Sequence, residues 1–402
     1  MRANYRGKPE RVFIFRLSLW DGNCPQHINP RYTEEQIQEL PECQCCDPNP
    51  GRFSGTLEVA KIIEETENVK TFRLVQPGGG EIPFEYLPGQ FLTLDVEPEG
   101  KRTRRSYTIA STPTRPECLE ITVKREEMGL VSRYLHNEVK PGHHVRLSGP
   151  AGKFTFTGKD RDSVVLIAAG VGITPMMSVA RYLTDEKWDG EIFLVLSFRN
   201  LEDFIFRREI EGLKERHNNL HVEVTLSRPN GDWTGTTGRI RKDLIADFVP
   251  ETATRLFHIC GPEPMMRDVQ AMLEELEVPK EQVKIEAFGT VKRKPKSDGT
   301  GAEQLVVSNA TVTFASVGKT APLPPDEPIL NVADSIGVEI DNACRSGTCG
   351  SCKVKLVSGN VTMEWEDALT EKEKAQGVIL ACQATAKSGV VIDVYRPERA
   401  RL

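Results

Sequence analysis

Four cysteines near the C-terminal end constrain this chain more than any other feature. Cys344, Cys349 and Cys352 fall within DNACRSGTCGSCKV, and the only cysteine after them is Cys382 in VILACQA, giving C-x4-C-x2-C-x29-C. Apart from Arg345, the residues between the first three are small or bare: Ser346, Gly347, Thr348, Gly350 and Ser351. Such a loop lets backbone N–H groups approach a centre of net negative charge. The spacing is that of a [2Fe–2S] site held by four thiolates. Four thiolates also suit tetrahedral zinc, although zinc loops usually come as paired C-x2-C knuckles.

Composition narrows the remaining classes. A chain of 402 residues is long enough for roughly two to four domains. Its 52 basic and 58 acidic side chains leave a net charge of −6, without the basic excess that phosphate backbones demand, so no nucleic-acid partner is expected. The most apolar run, VVLIAAGVGI at 164–173, is far shorter than the roughly 20 residues of a membrane span, and the N-terminus carries no export pattern. A cytoplasmic protein is expected. Ten cysteines spread this unevenly do not make a disulfide scaffold, and in a reducing compartment clustered thiols point to metal.

The pattern changes along the chain predict a multidomain protein. Residues 1–50 are rich in turn formers, with one short helix expected at 33–40. Residues 51–157 hold short β-rich runs such as FLTLDV, SYTIA and LEITVKR between Pro and Gly turns, an antiparallel β-barrel pattern. In residues 158–290 the strands SVVLIAAG, EIFLVLSF, LHVEVTLS and RLFHICG alternate with helical stretches, as in an α/β domain with a parallel sheet. A charged, Gly-containing linker at 291–304 leads to residues 305–402. There the strand LVVSNATVTFASVG, the helix ILNVADSIGV, the cysteine loop, the strand CKVKLVSG and a helix opened by Thr370 and Glu373 as a capping box lead back to Cys382.

Three further stretches carry chemistry. The strand SVVLIAAG runs into GVGITPMM, and a Gly-rich turn between strand and helix is where a pyrophosphate meets free amides and a helix dipole. Here Gly170 and Gly172 are followed by Thr174 and Pro175, expected as N-cap and first helical residue. A second strand-to-helix turn, FHICGPEPMM, places Cys260, Gly261 and Pro262 at the carboxyl edge of the same sheet, where such folds bind nucleotides. Upstream, RRSYTIAST puts Arg105 and Tyr107 on one face of a strand, a cation and a ring suited to a flat heterocycle attached to phosphate. In VKREEMGLVSRYLHN, Gly129 and Ser132 open a helix whose amides could hold further phosphate oxygens.

On these motifs, residues 53–289 resemble the ferredoxin–NADP reductase superfamily, and the last domain resembles the plant-type ferredoxins, an α+β (β-grasp) fold. The fusion is similar to the hybrid-cluster protein reductases and, in domain order, to phthalate dioxygenase reductase. The resemblance implies a flavin, FAD rather than FMN, on R-x-Y-[ST]: Arg105 at its phosphate, Ser106 and Tyr107 along it, Thr108 near N5. It implies Gly129, Leu130, Val131 and Ser132 at the flavin pyrophosphate, Val123 among the cofactor-binding residues, and Gly170, Gly172, Thr174 and Pro175 at the nicotinamide dinucleotide. Cys260, Gly261 and Pro262 would lie beside the nicotinamide, with Phe288 near the flavin ring. Thr108 and Cys260 would assist the transfer without acting as acid, base or nucleophile. The activity implied is an oxidoreductase that passes electrons from NADH or NADPH through flavin to the [2Fe–2S] cluster, and on to a redox protein such as a Rieske oxygenase, a cytochrome P450 or a hybrid-cluster protein. A non-catalytic scaffold with zinc in its last domain is the alternative, and it would be nearly colourless.

Two details remain. A 2′-phosphate would need a cation such as Arg199 or Arg228, while Glu223, inside a strand, and Asp232, in a turn, are not plainly placed for a 2′-hydroxyl; similarity to the hybrid-cluster protein reductases favours NADH. The stretch WDGNCPQHINPRY resembles the tail of a pyridoxamine-phosphate-oxidase-like domain. Cys24, His27, Cys43, Cys45 and Cys46 fit no common metal spacing, and the thiols are expected to be free or redox-sensitive.

Overall fold

The computed structural model describes residues 53–100, 102–159, 161–231, 233–288, 310–342, 345, 347, 350–363, 365–366 and 368–394. Cys344 and Cys349, Asp232, the helix expected at 33–40 and the N-terminal cysteines and His27 lie outside the described residues.

The first layer comprises β1 (Phe53–Thr66), β2 (Val69–Val75), β3 (Phe91–Val96), β4 (Thr103–Thr108), β5 (Leu119–Lys124), helix α1 (Leu130–Asn137) and β6 (His144–Ala151). Its sheet runs β4-β3-β6-β1-β2-β5, antiparallel at every step. An isolated bridge, Ile109 to Ile121, joins the end of β4 to β5 and brings the two edge strands together, so the antiparallel β-barrel expected takes the form of a half-barrel. Alternating residues such as Leu57, Leu74, Leu92, Leu94 and Leu147 fill its interior, joined by Val131 and Leu135 of α1. The run SYTIA ends as a strand at Thr108: Ile109 N–H still donates to the Gln90 carbonyl, but Ala110 N–H leaves the β3 side and donates to Glu120 of β5.

The second layer holds β7 (Ser163–Ala169), α2 (Ile173–Asp185), β8 (Glu191–Phe198), α3 (Arg207–Arg216), β9 (Leu220–Leu226), β10 (Thr236–Thr237), α4 (Lys242–Phe248), β11 (Phe257–Cys260), α5 (Glu263–Glu275) and β12 (Val283–Glu286). The sheet is parallel throughout, in the order β10-β9-β8-β7-β11-β12. Helices cover both faces, and Val164 to Ala168 are accordingly wholly buried, the mark of a sheet with no wet side. The chain builds outward from β7 to β9, then returns to place β11 on β7's other side. That reversal leaves a crevice at the carboxyl ends of β7 and β11.

The third layer consists of β13 (Thr311–Phe314), β14 (Lys319–Pro322), α6 (Ile329–Ser335), β15 (Lys353–Ser358), α7 (Glu371–Ala375), β16 (Val378–Leu380) and β17 (Val390–Asp393). Its mixed sheet, β14-β13-β17-β15-β16, pairs β13 with β17 in parallel and packs against the buried face of α6, a ferredoxin-like grasp. The capping box at Thr370 forms as expected: Glu373 N–H donates to Thr370 Oγ1 at 3.3 Å and Thr370 N–H to Glu373 Oε2 at 2.8 Å. Among the described residues, no helix is long and apolar enough to cross a membrane.

Candidate functional site

Strand β4 and helix α1 frame the first part of the site. Arg105 lies opposite Leu94 and Tyr107 opposite Leu92, both half-buried. Arg105 Nη1 donates to the Arg104 carbonyl at 2.7 Å. Burial, and then the nearby positive charge of Arg345, hold the Arg105 guanidinium below its ordinary pKa. Ser106 Oγ stands 3.0 Å from Thr93 Oγ1 across the ladder, so this hydroxyl is already engaged. Thr108 is different: the residue is 5% exposed and its Oγ1 is buried with no hydrogen-bond partner. A buried hydroxyl left unpaired costs about 1–3 kcal/mol, so this position fits one that a bound group completes.

Val123 of β5 pairs with Lys70 of β2, and its carbonyl lies 2.8 Å from His136 Nε2 of α1. Gly129 is the N-cap of α1, and a Cβ there would lie 2.3 Å from Ser132 Oγ. Ser132 Oγ accepts from Glu126 N–H at 3.1 Å and donates to the Gly129 carbonyl at 3.2 Å. Its hydroxyl therefore closes the turn. What the helix start offers an anion are the backbone N–H groups of Leu130, Val131 and Ser132.

The second part is the crevice between β7 and β11. Gly170 adopts φ +54°, and residues 170–172 form a 3-10 turn that runs directly into α2, with Gly172 as N-cap. The helix thus starts earlier than the sequence suggested. Thr174 is inside it, donating to the Val171 carbonyl at 3.0 Å rather than capping an amide. Pro175 sits in the first turn, where its missing N–H leaves no bond unmade. A Cβ on Gly172 would lie 2.3 Å from the Cys260 carbonyl oxygen, and one on Gly261 2.4 Å from Met265 Cε and 3.2 Å from Ala169 N. The two turns are bare because their backbones touch.

Gly170, Gly172, Gly261 and Pro262 line a cleft of about 570 Å³ together with Phe288 and Arg199. Phe288 is 43% exposed and forms cleft wall rather than core. Cys260 lies beneath the cleft, fully buried, where burial and then the Glu286 charge push its thiol pKa up. It stays protonated. Sequence reasoning missed Asp203, Ser227 and Arg239, which also line the cleft and come from loops without a local motif. Arg228 is not among the lining residues; its N–H donates to the Arg199 carbonyl at 2.7 Å. Glu223 of β9 accepts a hydrogen bond from the Thr236 hydroxyl.

In the third part, Cys352 and Cys382 are both buried and their Sγ atoms stand 3.2 Å apart, well beyond the about 2 Å of an S–S bond. They stand 30 residues apart in sequence, beside the paired ends of β15 and β16, and converge as two ligands of one metal ion must. Gly347 and Gly350 adopt φ +82° and +72°, and a Cβ on Gly347 would lie within 3.0 Å of Gln383 and Trp365. Positive φ at two glycines is the backbone that lets N–H groups turn towards an anion, which fits a sulfide-bridged cluster.

These parts are joined by contacts that no motif announced. Arg104 Nη1 lies 3.3 Å from Asp341 Oδ2, linking β4 to the cysteine loop. Ser178 Oγ of α2 donates to the Ser111 carbonyl at 2.7 Å, and Arg181 Nη1 to the Ala110 carbonyl at 2.7 Å, fastening the helix behind the Gly turn to the segment just after Thr108.

Known proteins share this three-part arrangement. Families described as Oxidoreductase FAD-binding domain, Oxidoreductase NAD-binding domain and 2Fe-2S iron-sulfur cluster binding domain match residues 56–156, 166–271 and 312–387. The glycine betaine monooxygenase reductase subunit of Chromohalobacter salexigens is 35% identical over 347 residues, 83% of this chain and 93% of that protein. The chain belongs to the flavin-dependent iron–sulfur reductases. NADH oxidoreductase HCR of Escherichia coli is another relative, 32% identical over 84% of this chain and 96% of its own length. The solved structure of phthalate dioxygenase reductase covers 85% of this chain and 98% of its own at 28% identity, with a TM-score of 0.57. As a member of this family the reductase is an oxidoreductase using FAD, a nicotinamide dinucleotide and a [2Fe–2S] cluster. Zinc and the non-catalytic scaffold drop out.

Proposed function

We propose that this reductase takes hydride from NADH and delivers single electrons, through its C-terminal cluster, to the oxygenase component of a monooxygenase system in the cytoplasm. The relative from Chromohalobacter salexigens, named as a monooxygenase reductase subunit, supports the acceptor class, and the name NADH oxidoreductase HCR supports the donor. Module limits of 51–157, 158–290 and 305–402 belong to the same reading, and the matched stretches fall inside them.

The observation that carries the route is the 3.3 Å contact between Arg104 on the flavin strand and Asp341 on the cysteine loop, which brings the one-electron centre's loop to the strand expected to hold the two-electron carrier. When bound, flavin supplies the conversion between hydride and single electrons. The chain's own groups do the placing. Arg105 holds flavin phosphate charge, Tyr107 the ring or ribityl face, and the Thr108 hydroxyl the N5 edge. The N–H groups at 130–132 hold the pyrophosphate behind Gly129, next to Val123. Gly170 and Gly172, with Thr174 and Pro175 starting α2, let the dinucleotide lie on backbone. Gly261 and Pro262 would hold the nicotinamide, with the protonated Cys260 buried beneath the cleft and Phe288 at its wall. Cys344, Cys349, Cys352 and Cys382 hold the irons.

Replacing Cys349 by Ser tests the route. The variant is expected to lose cluster absorbance and reduction of one-electron protein acceptors while keeping NADH-to-ferricyanide activity. Equal loss of both would refute the modular order. Reconstitution of substrate turnover by a purified oxygenase component, set against a hybrid-cluster protein, tests the acceptor.

A further inference from the structure

We propose that the Arg104–Asp341 ion pair is a docking contact that positions the iron–sulfur module on the flavin strand, and that it is weak enough to be released by salt. The inference rests on the flavin-to-cluster route and goes beyond it by naming the residues that set the geometry of the internal step.

Three observations carry it. Arg104 immediately precedes Arg105 on β4, and Asp341 lies three residues before Cys344, so a bond between them aligns the two cofactor-bearing segments directly. The contact is electrostatically prepared. Asp95 of β3 accepts from both Arg102 and Arg104, and one carboxylate cannot neutralise two guanidiniums; Asp341 meets the excess cation. On the other side, Arg345 is held within its own module by Asp334 and by Asn331 and Asn342. Its charge is felt at Arg105. Two modules that each present cations around the flavin phosphate position would repel one another without Asp341 and the bound phosphate to offset them.

The pair is also exposed. The Asp341 side chain is 74% accessible and that of Arg104 32%, so solvent and salt screen the attraction. A contact of this kind biases a docked arrangement without locking it. Such a bias suits a module that must receive an electron from one side and then present it to another protein. No bond forms or breaks in the internal step: one electron leaves the reduced flavin and one ferric ion takes it up.

The test uses the holoprotein and two readouts. In Asp341→Arg, hydrogen exchange across 103–108, an edge strand, and across 336–342 is expected to quicken. After anaerobic mixing with NADH, the cluster should bleach at least roughly threefold more slowly than in the wild type, with flavin reduction unchanged. Wild type in 0.5 M NaCl should reproduce both effects, and the single variant should respond little to salt. Arg104→Glu with Asp341→Arg restores the pair in reverse and is expected to recover the wild-type exchange and bleaching. Unchanged exchange and bleaching in Asp341→Arg, or failure of the double reversal to recover either, would overturn the proposal. Loss of flavin reduction as well would instead count against the electron route itself.

Discussion

Arg181 should be the most costly single cation to remove from this protein. It is 5% exposed, on α2, and every polar atom of its guanidinium is spent. Nε and Nη2 reach Glu209 at 2.8 and 2.6 Å, and Nη1 reaches the Ala110 carbonyl at 2.7 Å and Glu120 Oε2 at 3.3 Å. Its carbon end lies 4.9 Å from the centre of the Phe206 ring. Arg181→Met keeps the packing and removes the bonds. Breaking a buried pair from one side costs about 3–5 kcal/mol. The lower end applies here, because Glu120 keeps Arg73 at 2.8 Å and the Glu209 side chain is 33% exposed and can hydrate. The Ala110 carbonyl has no such recourse. We therefore expect a loss of about 3 kcal/mol in urea unfolding, followed by Trp188 and Trp233 fluorescence in the nucleotide-binding module. Because the lost bonds fasten α2 to the residues after Thr108, flavin reduction by NADH should slow at unchanged flavin content. Glu65, whose carboxyl burial already raises and the Arg181 charge lowers, should titrate higher still. A stability loss under about 0.5 kcal/mol, the range of an ordinary surface substitution, would refute the reasoning.

Other outcomes follow from the same geometry. Gly172→Ala puts a methyl 2.3 Å from the Cys260 carbonyl, where backbone faces backbone, so KM for NADH in the ferricyanide assay should rise roughly tenfold while the flavin spectrum is kept. Thr108→Val removes the unpaired hydroxyl: the flavin-free protein should be no less stable, flavin reduction should slow about tenfold, and Thr108→Ser should behave as wild type. His258 is wholly buried against Phe154 and Phe156, and burial, with the Lys284 charge adding, pushes its pKa from 6.5 to about 3. The unfolded chain therefore binds the extra proton between those values, so the His258 contribution is complete above pH 6.5 and is lost as pH falls towards 3. Urea melts at pH 7 and 4.5 should show that this group costs about 2–3 kcal/mol over the interval, and His258→Gln should remove that slope.

What could be read from the sequence was whatever chemistry or backbone geometry concentrates within a few residues. The cysteine spacing, the two Gly turns and the strand runs FLTLDV and EIFLVLSF are local, and the latter two coincide with β3 and β8. The start of α2 was misplaced because the 3-10 turn begins with a positive φ at Gly170, which Gly permits and the surrounding letters do not demand. The joining contacts were not legible, since Arg104 and Asp341 are 237 residues apart, and Arg181 and Glu120 61. A signal did exist in MMSVARYL. Ser178 and Arg181, three residues apart in that mostly apolar stretch, form one polar stripe that could be buried only with partners. The stripe says that partners exist and not which they are.

The contacts converge on one short segment. Residue 104 meets the cysteine loop, residues 105–108 are those proposed to hold the flavin, and the carbonyls of Ala110 and Ser111 accept the bonds from α2 behind the Gly170 turn. Residues 104–111 of one β-barrel edge thus meet both other modules, beside contacts elsewhere such as Gly89 N–H to Ser178 Oγ at 3.2 Å and Lys284 Nζ to the Thr155 carbonyl at 3.1 Å. This serves the central demand on such a protein, that three redox groups be placed to within about an ångström of a working arrangement. It also orders the consequences of mutation. Changes at Arg181 or Ser178 should act on the hydride step and spare the cluster, and changes at Arg104 or Asp341 should do the reverse. Substitutions at 105–108 should impair both, because the flavin proposed to lie there serves both halves of the route.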